Sequence, residues 1–202
     1  MQVGSGEIGV DSLTRGVARL LGHCSDQRSL AEAVGGLLSL HLKQPAWLPA
    51  EYQEPGETRY RQHVIYVAPC DRFSLVSLVW KPGQRTPIHD HVSWCVVGVY
   101  RGLEQATGYH LYDGADGQFL VPVRSQTIQP GQIDVLVPPD EDIHQVACAG
   151  DALTVSIHIY GANVRELGSS VNRRFDELAV RQNGPESLTS RNARDRLAWR
   201  NQ

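Results

Sequence analysis

Two periodicities divide the chain. Between residues 11 and 42 apolar positions recur at three- and four-residue steps: Leu13, Val17, Leu20 and Leu21, then Leu30, Ala33, Val34, Leu37, Leu38 and Leu42. That spacing lays a stripe along one face of a helix. Two short helices are predicted, with Asp26 or Ser29 available as caps. Pro45, Pro49 and Pro55 then end the pattern, because each removes a backbone donor and pushes its predecessor out of the helical region. From Tyr60 the period shortens to two, in runs rich in β-branched and aromatic residues: 60–67, 73–80, 94–100, 105–112, 119–123, 133–137 and 153–160. Lys81-Pro82-Gly83, Asp113-Gly114-Ala115-Asp116-Gly117 and Gln129-Pro130-Gly131 supply turns. No spacer between the runs has the length of a crossover helix, so the pattern predicts an all-β barrel or sandwich behind short N-terminal helices. After Gly161 the chain turns polar and rich in arginine, with Arg173, Arg174, Arg181, Arg191, Arg194, Arg196 and Arg200, and predicts a tail holding one helical turn and partly packed on the barrel. The organisation expected is one domain: helices and connector over 1–58, barrel over 59–165 and polar tail over 166–202.

Composition narrows the classes. A chain of 202 residues can bury a core without disulfides or a structural metal, and 41% hydrophobic with 20% charged residues excludes disordered and fibrous classes. With 19 basic against 22 acidic residues there is no basic stripe for phosphate backbones, so no nucleic-acid partner is expected. The N-terminus has no basic segment followed by an apolar one, and no run of about 18 apolar residues occurs, so neither export nor a membrane partner is expected and the location expected is cytoplasmic. Cys24, Cys70, Cys95 and Cys148 form no C-x-x-C pair and are read as reduced thiols. Of these, Cys24, Cys70 and Cys148 are expected to be small buried hydrophobes.

Candidate chemistry concentrates in Gly83-Gln84-Arg85-Thr86-Pro87-Ile88-His89-Asp90-His91. On an extended strand His89 and His91 project together while Asp90 points away. His144 lies 53 residues beyond His91, after Pro138-Pro139-Asp140-Glu141-Asp142 and at the start of a further predicted strand. Three imidazoles brought together would make a metal site with open positions. In Thr154-Val155-Ser156-Ile157-His158-Ile159-Tyr160 the even positions are polar and the odd ones apolar, so Ser156, His158 and Tyr160 form a column on one face. That face would meet water on an ordinary half-buried strand. His23, His41, His63 and His110 have no convergent partner and are expected to be surface or packing residues.

These motifs resemble the cupin superfamily, whose first motif is a Gly, five residues and H-x-H, here Gly83 to His91, and whose second is Pro-Gly followed by a His, here Pro130-Gly131 and His144. Most cupins add a Glu ligand just after the H-x-H, whereas this chain has Val92-Ser93-Trp94-Cys95-Val96-Val97. The missing Glu and the Ser156-His158-Tyr160 column followed by Gly161-Ala162-Asn163 resemble the thiol dioxygenases, meaning cysteine dioxygenase and its bacterial relative 3-mercaptopropionate dioxygenase, over residues 60–165.

The resemblance implies a double-stranded β-helix and one Fe(II) held by His89, His91 and His144, with no organic cofactor. A small thiol and dioxygen would be the partners, and a sulfinate the product. Ser156, His158 and Tyr160 would lie beside the iron as catalytic residues, His158 as a neighbour of the ligands. Tyr60 and Gln62 would contact substrate. The cysteine branch has Arg where Gln62 stands, and an amide cannot form the bidentate carboxylate pair, which implies 3-mercaptopropionate in preference to L-cysteine. The mercaptopropionate branch carries a compensating Arg where this chain has Ser169. Arg165 is the expected substitute, with Arg173 and Arg174 next. Animal cysteine dioxygenases link a Cys from the region of Cys95 to the matching Tyr, which leaves a Cys95–Tyr160 thioether open. Read from the residues alone, the histidines also admit a zinc-dependent cupin hydrolase or isomerase, or a non-catalytic sensor of a small thiol or metal.

Overall fold

A computed structural model describes residues 9–24, 26–139 and 142–184. The helical stripe folds into α1 (Val10–Leu21) and α2 (Gln27–Leu42). The Asp26 carboxylate caps α2 by accepting the Ser29 N–H at 2.7 Å, and the chain leaves the helix just before Pro45. No helix among the described residues is long and apolar enough to cross a membrane.

The rest is a double-stranded β-helix. Its strands are β1 (Arg61–Val67), β2 (Ser74–Trp80), β3 (His89–His91), β4 (Cys95–Arg101), β5 (Glu104–Gly114), β6 (Gly117–Ile128), β7 (Ile133–Leu136), β8 (His144–Cys148), β9 (Thr154–Tyr160), β10 (Val171–Arg174) and β11 (Ala179–Val180), with a short helix α3 (Val164–Leu167) after β9. Among the described residues they form a five-stranded sheet in the order β1-β2-β9-β4-β7 and a six-stranded sheet in the order β10-β3-β8-β5-β6-β11. Every pairing is antiparallel except that of β11 with β6.

The five-stranded sheet is buried on both sides. Val155, Ile157 and Ile159 of β9 join Leu13, Val17, Val34 and Leu38 of the helices in one core, so the helices cover its outer face. Gly98 of β4 permits the close approach, since a Cβ there would lie 2.5 Å from Leu42 Cδ1 and 3.0 Å from Leu38 Cδ2. On the inner face Val76, Leu78, Cys95, Val97 and Tyr160 form a second core. All of β2 and β9 is therefore buried, and the polar column of β9 faces the barrel interior and not water.

Two expectations change here. β10 and β11 occupy the stretch read as tail, and β10 completes the six-stranded sheet by pairing with β3 through Val171↔His91 and Arg174↔His89. A short edge strand needs only one apolar face, and the Ser169–Arg174 stretch carries no alternation to betray it. Cys70 is exposed instead of buried, in a left-handed turn with φ of 59°. Arg191, Arg194, Arg196 and Arg200 of the predicted tail lie outside the described residues, as do Asp140 and Glu141.

Candidate metal centre

Strand alternation builds the centre. On β3 His89 and His91 turn inward and are 5% and 4% exposed, while Asp90 turns out and accepts the Arg173 backbone N–H at 2.6 Å. β8 lies beside β3 with His144 directly opposite His89. The three rings stand 4.7 to 4.9 Å apart between centroids, and one ligand nitrogen from each lies within 4.8 Å of the others. Among the described residues no carboxylate or thiol joins this cluster.

The backs of the rings determine what their fronts offer. His89 Nδ1 lies 3.0 Å from the Pro87 carbonyl, and His91 Nδ1 lies 2.7 Å from Asp142 Oδ1. A carbonyl and a carboxylate only accept, so both nitrogens carry hydrogen and Nε2 is left as the ligand atom. Asp142 fixes the strand as well as the ring, since Oδ2 accepts the His91 backbone N–H at 2.7 Å. His144 Nδ1 is buried without a hydrogen-bond partner. Burial, followed by the neighbouring His91, lowers His89 to about 4, and burial holds His144 well below its ordinary value. Two Nε2 atoms left free by bonds at Nδ1, and burial that keeps His89 and His144 uncharged, fit a divalent cation.

Next to the centre, the β9 column is continuous. Tyr160 Oη lies 3.1 Å from His158 Nδ1, and His158 Nε2 lies 3.0 Å from Ser156 Oγ. Ser156 Oγ also accepts Trp80 Nε1–H at 3.1 Å. Leu78 and Val99 flank Ser156, and Val76 and Val97 flank His158. In this dry setting burial, followed by His91, lowers His158 to about 3, and burial pushes the Tyr160 phenol well up. Both are neutral near pH 7. Cys95 pairs directly with Tyr160 across β4 and β9 and is fully buried, its thiol pushed well up by burial.

The histidines and Tyr160 open on a cavity of about 70 Å3, small beside the roughly 300 to 1,000 Å3 of drug-sized pockets. His89, His91, His144, His158, Tyr160, Tyr60 and Gln62 all line it. Tyr60 is held there by Trp80, the ring centroids 4.4 Å apart. Ser156 stands one step behind, fully buried beneath His158. Arg165 corrects an expectation, because it is exposed on α3 and does not line the cavity. The bonds of Asn163 to the backbone N–H groups of Arg165 and Glu166 start α3 there and turn the chain outward. Arg174 lines the cavity instead, together with Ser169 and Ser170. Arg173 is engaged elsewhere, over the Phe175 ring at 4.6 Å and on Gln118 at 3.0 Å.

Sequence reasoning overlooked Asp142, Trp80 and Ser170. For Asp142 a signal existed, a carboxylate two residues before a candidate ligand. The remaining histidines have local partners: His23 bonds the Arg19 carbonyl, His41 the Leu37 carbonyl, His63 the Glu54 carbonyl, and His110 packs on Tyr112.

No protein-family model matches the chain. Among solved structures it is similar to a protein with a double-stranded β-helix domain from Klebsiella pneumoniae, at 18% identity and a TM-score of 0.41 over 56% of this chain and 87% of that one. It is similar to a cupin 2 conserved barrel domain protein from Salinispora arenicola, at 18% identity and a TM-score of 0.37 over 50% and 74% of the two chains. A recombinant oxalate oxidase in complex with glycolate is similar at 14% identity and a TM-score of 0.41, over 55% and 56%. The likeness is one of fold.

Proposed function

We propose that the protein is a thiol dioxygenase, which converts a small mercapto-carboxylate to its sulfinate with both atoms of dioxygen. One observation carries this reading: three histidines, joined by no carboxylate or thiol ligand among the described residues, converge beside the Ser156-His158-Tyr160 column in a cavity sized for a few heavy atoms.

His89, His91 and His144 would hold Fe(II), which when bound supplies a Lewis-acidic and redox-active centre that favours the thiolate over the thiol. Because an imidazole that binds a metal brings it no negative charge, the anionic charge the centre would attract is left for the substrate. Tyr160 stays protonated and orients a hydrogen-bond donor at the cavity wall. His158, uncharged, holds the phenol, and Ser156 holds the imidazole. Arg174 meets the substrate carboxylate, with Tyr60 and Gln62 also lining the cavity. The overall change is RSH + O2 → RSO2H, in which sulfur loses four electrons and dioxygen gains them.

The test is oxygen uptake by protein loaded anaerobically with Fe(II), with 3-mercaptopropionate, L-cysteine and cysteamine in parallel. The expected result is one dioxygen consumed per sulfinate formed, with kcat/KM highest for 3-mercaptopropionate, lower for L-cysteine and lowest for cysteamine, which has no carboxylate. Absence of uptake with every thiol, or native protein that retains zinc and gains no activity with iron, would overturn the reading.

A further inference from the structure

Glu104, at the start of β5, has no part in the chemistry above. It is 0% exposed, and neither carboxyl oxygen has a hydrogen-bond partner. It projects into the barrel on the same face as Ala106, which packs with Val99, and Val99 is the strand neighbour of Ser156. The Ser156 hydroxyl is the polar neighbour that acts on the carboxyl, opposing the rise that burial imposes, and it stands close to the carboxyl without closing a well-formed bond to it. An unsatisfied buried carboxyl at the inner end of a hydrogen-bonded column requires an explanation.

The explanation lies in the bonding capacity of Ser156. A hydroxyl gives one hydrogen and takes two. Trp80 Nε1 can only donate, so it fills one acceptor position. His158 holds one of the two positions that remain, donor or acceptor, and the other is open to Glu104. If Glu104 is the acid and donates to Ser156, the Ser156 hydrogen goes to His158 Nε2. His158 is then the Nδ1–H tautomer, donates to the Tyr160 oxygen, and leaves the phenolic hydrogen free for the cavity. If Glu104 is the carboxylate, it takes the Ser156 hydrogen and every bond reverses. His158 becomes the Nε2–H tautomer, and Tyr160 spends its hydrogen on Nδ1.

We infer that Glu104 is a positioning residue whose proton sets the direction of the whole Ser156–His158–Tyr160 column and with it whether Tyr160 offers a hydrogen to the cavity. The charge around it permits both states. Asp134 of β7 faces it but is held in a two-pronged pair with Arg124 of β6, at 2.9 and 2.8 Å. His158 of β9 is neutral, Cys95 of β4 is a neutral buried thiol, and Cys148, opposite Glu104 on β8, turns its sulfur to the Gly150 and Ala152 carbonyls and to Thr154. Burial, with a smaller contribution from Asp134, pushes Glu104 up to about 7, so both directions fall within an accessible range.

The tautomer of His158 is read directly by long-range 15N–1H correlation on metal-free protein with labelled histidine, from pH 5.5 to 8.5. The expected result is an Nδ1–H ring at low pH that gives way to an Nε2–H ring in step with the 13C titration of the Glu104 carboxyl. Glu104→Gln should hold one tautomer at every pH. A wild-type ring that keeps one tautomer throughout would overturn the inference. So would a switch whose midpoint departs from that of Glu104, which needs no variant to detect, or a switch that persists in Glu104→Gln. The consequence for turnover rests on the dioxygenase reading: kcat should fall as pH rises through the switch, with KM unmoved, and Glu104→Gln should flatten the profile. A flat wild-type profile beside an intact tautomer switch would count against the role given to Tyr160 and not against the switch.

Discussion

Asp142 grips His91 twice, by ring and by backbone, so Asp142→Asn should weaken metal binding about 10 to 100-fold while the fold persists; competition with a chelator measures it. His89→Ala, His91→Ala and His144→Ala each remove a ligand and should abolish stoichiometric metal, whereas His158→Ala should retain metal and lose rate. A full complement of iron in His144→Ala would sink the ligand assignment. Tyr160→Phe deletes one hydroxyl from the column, and should bind substrate nearly as well yet consume dioxygen without matching sulfinate. Arg174→Gln should raise KM for mercapto-carboxylates by about tenfold or more, as expected for a lost charge-assisted contact, and leave cysteamine unaffected. Arg165→Gln should change neither, because that side chain is exposed away from the cavity.

Along α2, Gly35 and Gly36 are neighbours with opposite surroundings. A Cβ on Gly35 would lie 2.6 Å from Ile133 Cδ1 and 3.4 Å from Val135 Cγ2, while one on Gly36 meets nothing within 4 Å. Gly35→Ala should therefore destabilise by about 1 to 3 kcal/mol through overpacking on β7, and Gly36→Ala should stabilise by up to about 1 kcal/mol through lost backbone entropy. Denaturant midpoints of the two variants moving in the same direction would contradict this packing. α2 itself was legible because a stripe and a capping Asp26 act locally, and β9 because alternation does. What covered β9 was not legible: alternation states that two faces differ, not which one meets water. Here helices took the apolar face and the barrel the polar one, inverting the ordinary half-buried strand. The convergence of His89 and His91 was readable because H-x-H on a strand converges by geometry alone. Arg174 was not, because it reaches the cavity through its pairing on β10 with His89 of β3, 85 residues away, and an edge strand of polar residues announces no partner.

Stability should respond to pH from both sides. A carboxyl raised in the fold stabilises it only while protonated, so the contribution of Glu104 is complete below about 4.5 and lost as the pH rises through about 7, a difference of about 3 kcal/mol. His158 acts in the opposite sense: lowered in the fold, its contribution is present above 6.5 and lost as the pH falls through about 3. Between pH 4.5 and 6.5 the two oppose each other, so thermal unfolding of metal-free Glu104→Gln should climb with pH over that range more steeply than that of the wild type and should lose the decline the wild type shows above about 6.5. β10 has a consequence in time as well as in space. Residues 171–174 close the sheet beside β3 and, with Ser169 and Ser170, wall the cavity, yet they follow the last histidine of the centre by more than two dozen positions. On a ribosome, which extends the chain from its N-terminus, the histidines emerge into the cell while that wall is still inside the exit tunnel. The nascent chain thus carries all three histidines of the centre before the strand that bears Arg174 can pair beside them.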